Sequence, residues 1–78
     1  MSDEKEIVIV QEGAEYEFQV NLSLKQEFIG FTALRDIAVY VSTSDEDDAR
    51  VLGWQDLAEE IGYDDARMYE IVSVEVLS

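Results

Sequence analysis

Between Tyr16 and Lys25 the chain alternates without a break: Tyr16, Phe18, Val20, Leu22 and Leu24 are apolar, and Glu17, Gln19, Asn21, Ser23 and Lys25 are polar. A period of two puts every apolar side chain on one face of a strand and every polar one on the other. Such a strand needs sheet neighbours and a second layer over its apolar face, so the chain is committed to a sheet-based fold. The β-branched run Ile7-Val8-Ile9-Val10 precedes it, across Gln11-Glu12-Gly13-Ala14, which has the composition of a turn. A β-hairpin of these two segments is the direct expectation.

Further along, Ile37-Ala38-Val39-Tyr40-Val41-Ser42-Thr43 reads as a third strand with Ile37, Val39 and Val41 on one face. Phe28 to Asp36 fits two patterns, with Ile29, Phe31 and Ala33 at strand spacing and Phe28, Phe31 and Leu34 at helical spacing. The reading adopted is a third strand starting near Phe28 and bulged around Arg35; a helix over Thr32 to Tyr40 is the alternative. Ser44-Asp45-Glu46-Asp47 has the form of a helix start, with Ser44 as N-cap and acids where the helix dipole favours them. Val51, Trp54, Leu57, Ala58 and Ile61 then form an apolar stripe, which Gly53 interrupts with a kink or a split, and Gly62 stands where a glycine closes a helix.

From Met68 to Leu77, Val72, Val74 and Val76 alternate with Ser73 and Glu75, while Ile71 falls out of phase, as at a bulge or sheet edge. Together these segments predict one α+β domain over residues 1–78. It is an antiparallel, meander-like sheet of three or four strands with one amphipathic helix on one face, in the order β-β-β-α-β. Residues 1–5 are expected to be disordered.

The chain has 78 residues and no Cys or His, so nucleophilic triads, thiolate chemistry and ordinary zinc sites have no parts to be made from. Its four glycines are scattered and form no phosphate-binding loop. Asp45-Glu46-Asp47-Asp48 invites a calcium-loop reading, which fails because Ala49, Arg50 and Asp56 occupy its fifth, sixth and twelfth positions. Paired carboxylates are abundant, but nearly all fall on polar faces or in turns, as solvated side chains without the burial that would suit them to catalysis. No enzyme, cofactor or metal is expected. Residues 1–6 lack the basic start and apolar run of a secretory signal, and no apolar stretch approaches the roughly 20 residues of a membrane span. A cytoplasmic protein away from membranes is expected.

Nineteen Asp and Glu against five Lys and Arg give a net charge of −14. Self-repulsion on this scale lowers the stability of a compact state, which suggests that the charge has a use. Between residues 45 and 65, nine acids oppose Arg50 alone, a net −8. Asp45, Glu46, Asp47, Asp48, Asp56, Glu59, Glu60, Asp64 and Asp65, with Tyr63 as an aromatic anchor, are therefore the expected partner-binding set. They are expected to form one continuous surface along the helix layer. Glu12, Glu15 and Glu17 form a smaller, secondary acidic strip. Trp54, on the stripe, is expected in the core, and Tyr40 on the outer sheet face. Direct nucleic-acid binding is disfavoured, since phosphates are repelled and no basic stripe exists.

In size, acidity and lack of Cys, His and catalytic motifs, the chain resembles the small phage-encoded inhibitors that include DNA mimics and acidic anti-CRISPR proteins. That group shares a charge strategy rather than a fold or motif. The resemblance implies blockade of a basic nucleic-acid-binding protein or complex, a CRISPR effector foremost, in the host cytoplasm, by a monomer or weak homodimer whose carboxylates stand in for phosphates. Two other readings fit the composition: an immunity protein or antitoxin plugging a nuclease toxin, and a domain adapted to high salt, whose acidity has no binding role.

Overall fold

A computed structural model of the chain describes residues 4–10, 13 and 15–77. The turn expected over 11–14 is described only at Gly13, and the disorder expected over 1–5 lies outside these residues at 1–3. Four strands, β1 (Glu4–Val10), β2 (Tyr16–Leu24), β3 (Asp36–Thr43) and β4 (Tyr69–Val76), form one sheet. Helix α1 (Glu46–Ile61) and the single turn α2 (Tyr63–Ala66) lie between β3 and β4. The class is α+β with one main helix in the order β-β-β-α-β, as the alternation predicts.

The pairing departs from the expected hairpin and meander. Spatial order is β1-β3-β2-β4, and β1 runs parallel to β3, with Ile7 opposite Val39, so the sheet is mixed rather than antiparallel. Strand β3 sits between the two segments expected to pair with each other. The physical reason is central burial: β2 and β3 bury the longest rows of apolar side chains, so each gains most from neighbours on both sides. Val10 and Tyr16 then stand on either side of β3 at the same end of the sheet, about 10 Å apart across two strand spacings.

The third strand starts at Asp36, not near Phe28, and no helix covers Thr32 to Tyr40. Phe28 N–H donates to Lys25 C=O (2.9 Å) and Phe31 N–H to Phe28 C=O (3.0 Å), so successive tight turns, including a 3₁₀ turn over Gln26–Phe28, use the donors a strand ladder would need. In β4, Leu22 faces Ile71 and Asn21 faces Ser73, leaving Val72 as the extra residue of a bulge. This explains why Ile71 is out of phase.

Helix α1 begins one residue later than expected. Strand β3 runs through buried Thr43, and Asp45 rather than Ser44 is the N-cap, its Oδ1 accepting from Asp47 N–H (2.7 Å) and Asp48 N–H (3.4 Å). Aspartate caps as well as serine and adds charge at the positive end of the dipole. Replacing Asp45 by Ala should therefore lower stability by about 1 kcal/mol, and Asp45→Asn by much less, in urea unfolding. Gly62 closes the helix with φ 95°, its N–H donating to Ala58 C=O, as its position predicts.

Gly53 neither kinks nor splits α1. It is buried, and a Cβ there would lie 3.1 Å from Val20 Cγ1. The missing side chain lets the helix settle on the centre of the sheet. The buried line is thus Ala49, Gly53 and Leu57, one turn apart, with Ala58 beside it. Val51, expected on the stripe, is 55% exposed, because two residues from Gly53 is about 200° around the helix. Trp54 and Ile61 pack at the edge of the core, whose centre is Val20, Leu22, Ile37, Val39, Val41 and Leu57. Among the described residues no buried side-chain polar atom lacks a partner; Tyr69, for instance, donates its hydroxyl to Leu34 C=O at 2.6 Å.

Candidate functional site

The topology sorts the charged residues toward the two ends of the sheet. Tyr16 pairs with Thr43, so Glu15, just before β2, and the Ser44-Asp45 link, just after β3, lie at the same end of the sheet. Glu17, one residue into β2, is exposed beside them, and Glu46, Asp47 and Asp48 continue into the first turn of α1. Glu15, Glu17, Asp45, Glu46, Asp47 and Asp48 therefore converge at one pole, all exposed. Glu12 lies outside the described residues. What reads in sequence as a main surface and a separate strip thus meets at one end of the fold, with Glu17 on the uncovered sheet face and Glu46, Asp47 and Asp48 on the helix that covers the other.

The rest of the expected surface lies elsewhere. Between Asp48 and Asp56 the helix advances about 12 Å without an acid, past Arg50, Val51 and Gln55, so the nine acids form two groups rather than one continuous surface. Glu59, Glu60, Asp64 and Asp65 are exposed at the opposite pole, together with Tyr63, whose ring lies 5.7 Å from that of Trp54, tilted by 58°. Three of the five basic residues gather there too. Lys25 N–H donates to Met68 C=O, Arg67 precedes Met68, and Arg35 C=O accepts from Leu24 N–H (2.8 Å). The second pole is thus mixed in sign. The first has no basic residue among its described members, and Arg50 is the nearest along the helix, one turn in.

On the body of α1, Asp56 is half-buried. Partial burial pushes its carboxyl up from the usual range, and the carboxylates of Glu59 and Glu60, three and four residues on, push it further the same way. A carboxyl raised in the folded state binds its proton more tightly folded than unfolded. Its contribution to stability is complete below the unfolded value near 3.8 and is lost as pH rises through the folded value. Asp56→Asn, which imitates the protonated form, should raise Tm at pH 7, and the gain should shrink toward zero below pH 3.8. Calorimetry across that range checks it.

Sequence reasoning missed the second acidic surface, the sheet face that no helix covers. Glu6, Glu17, Asp36, Glu70 and Glu75 are exposed there, at the polar positions of all four strands. Polar side chains tie the strands together between them. Gln19 Nε2 donates to Asn21 Oδ1 (2.8 Å), and Asn21 Nδ2 donates to Ser73 Oγ (2.9 Å) and Glu75 Oε2 (3.2 Å). Tyr40, half-buried, lines a groove of 460 Å³ on this face with Glu6, Asp36 and Val72. The signal was available in the alternation itself, since polar positions of neighbouring strands share a face.

Among the described residues no group of three or more Asp or Glu is placed to hold a metal ion, and no helix is long and apolar enough to cross a membrane. Chemically, the acidic pole offers a dense set of acceptors to cationic side chains. The chain matches no protein-family model, no curated protein and no solved structure.

Proposed function

We propose that this chain is a non-enzymatic inhibitor that seats its acidic pole in a basic nucleic-acid-binding groove and keeps nucleic acid out, with a CRISPR effector complex as the favoured target. The observation that carries the reading is the convergence of Glu15, Glu17 and Asp45–Asp48 on one end of the fold, away from Lys25, Arg35 and Arg67. Exposed carboxylates one or two positions apart on a helix or strand are roughly 5–7 Å from one another. That resembles the through-space separation of neighbouring phosphates, whose axial rise is about 3.4 Å per strand. A channel lined with Lys and Arg for phosphates therefore meets similar charge spacing on the pole. The net charge of −14 adds long-range attraction that speeds encounter at low salt and fades as salt rises.

The inhibitor acts by occupancy, in the cytoplasm, as a monomer or weak dimer, without touching nucleic acid or membrane. Titrating the chain into purified CRISPR effectors bound to labelled target DNA tests this by gel shift, with a nuclease toxin as a parallel arm. DNA displacement from an effector, lost at high salt, is expected. Displacement confined to the toxin would reassign the target class. No displacement from any basic groove would end the reading.

A further inference from the structure

The two edges of the sheet are finished differently. Strand β4 is broken by the bulge at Val72, and Glu70 and Glu75 stand exposed along it. Strand β1 has no such interruption: Glu4 to Val10 pair with Asp36 to Ser42 in unbroken register, and among the described residues β3 is its only neighbour in the sheet. Alternate N–H and C=O groups of β1 therefore point off the sheet, the arrangement that invites a further strand. Val8 and Val10 are 71% and 75% exposed on the uncovered face, in line with exposed Glu6.

We propose that β1 is a strand-addition site for an extended segment of a protein partner that carries apolar residues and Lys or Arg on one and the same face, at every second position. Such a strand lies about 4.8 Å from β1 and completes its hydrogen bonds. Its apolar residues cover Val8 and Val10, and a cation on the same face reaches Glu6 and the acids of the open sheet. Charge selects this occupant over a second copy of the chain. Two copies each carry −14, so pairing edge to edge sets two strongly anionic molecules against each other. The proposal rests on the β1 edge and stands apart from the role given to the acidic pole.

The test uses the full chain, isotope-labelled, and the peptide Val-Thr-Val-Thr-Lys-Thr-Lys, whose valines and lysines share one face of an extended strand. A control peptide of equal charge carries an N-methyl group on every residue after the first, which removes the hydrogen bonds of both its edges. The first peptide should slow amide exchange within Glu4–Val10 and leave Tyr69–Val76 unchanged, while the control does neither. Val8→Lys should weaken peptide binding about tenfold, since it replaces an apolar contact and sets a cation beside the peptide's lysines, and should leave Tm near that of the parent because the position is exposed. Equal binding of both peptides, protection at β4 instead of β1, or dimerisation of the chain alone through β1 would each overturn the proposal.

Discussion

Gly53→Leu is expected to remove about 3 kcal/mol or more of folding stability, measured by urea unfolding. A bare Cβ at this position already lies 3.1 Å from Val20 Cγ1 and 3.2 Å from its Cβ and Cγ2, tighter than ordinary van der Waals contact. Val20 is fully buried at the middle of the sheet, paired with Val39 on one side and Val74 on the other, so it has nowhere to retreat. A leucine must lift the helix and uncover Leu57 and Ala49. For a domain of 78 residues, total stability is about 4–12 kcal/mol, so the loss is a large share of it. Gly53→Ala opposes a helix-propensity gain of about 1 kcal/mol to the same close contact, and the two should nearly cancel. In a Val20→Ala background the contacts to Cγ1 and Cγ2 disappear and only that to Cβ remains, so Gly53→Ala should be more favourable there than in the parent. Were Gly53→Leu to unfold at the parental urea concentration, the close approach of α1 to β2 would be wrong.

The second large effect concerns binding. Exchanging Glu46, Asp47 and Asp48 for Lys should weaken affinity for a basic groove at least about a hundredfold, or about 2.7 kcal/mol. Three attractive contacts become repulsive, and like charges across an interface cost several kcal/mol together. The fold should survive, because Asp45 keeps its cap on Asp47 and Asp48 backbone N–H groups, which the exchange leaves in place. Two effects on stability oppose each other. Acids in the first turn gain about 0.3–1 kcal/mol each from the helix dipole, which Lys forfeits. Lowering the charge of a strongly anionic molecule relieves self-repulsion. Circular dichroism should show a Tm within a few degrees of the parent. A loss of binding accompanied by a collapse of Tm would report on folding and not on the pole.

Much of this architecture is legible in the residues. The alternation from Tyr16 to Leu24 and from Ile37 to Val41 names the buried face of both central strands, and Gly62 marks the end of α1, because periodicity and turn chemistry are local. The parallel partnership of β1 with β3 is not local. A strand's pattern fixes which face is buried and leaves open which neighbour it takes, so the expected hairpin gave way to the burial of β3. Gly53 misleads for a similar reason: its helix-breaking tendency is intrinsic, whereas its fit against Val20 exists only after packing. The acidic surface follows the same division. Asp45–Asp48 are adjacent in sequence and need no fold to be grouped. Their joining with Glu15 and Glu17, and the separation of Glu59, Glu60, Asp64 and Asp65 to the pole of Lys25, Arg35 and Arg67, depend on strand order.

Location of charge, as distinct from its amount, can be isolated with two matched variants. Replacing Glu46, Asp47 and Asp48 by Lys raises the net charge by six, from −14 to −8; replacing Glu59, Asp64 and Asp65 by Lys does the same at the opposite pole. Dissociation constants for both, against whichever basic effector the parent displaces from DNA, put the two poles in direct competition at equal charge. Loss of affinity for the first variant, with the second close to the parent, is the result predicted here. Equal weakening of both, or loss confined to the second, would contradict it.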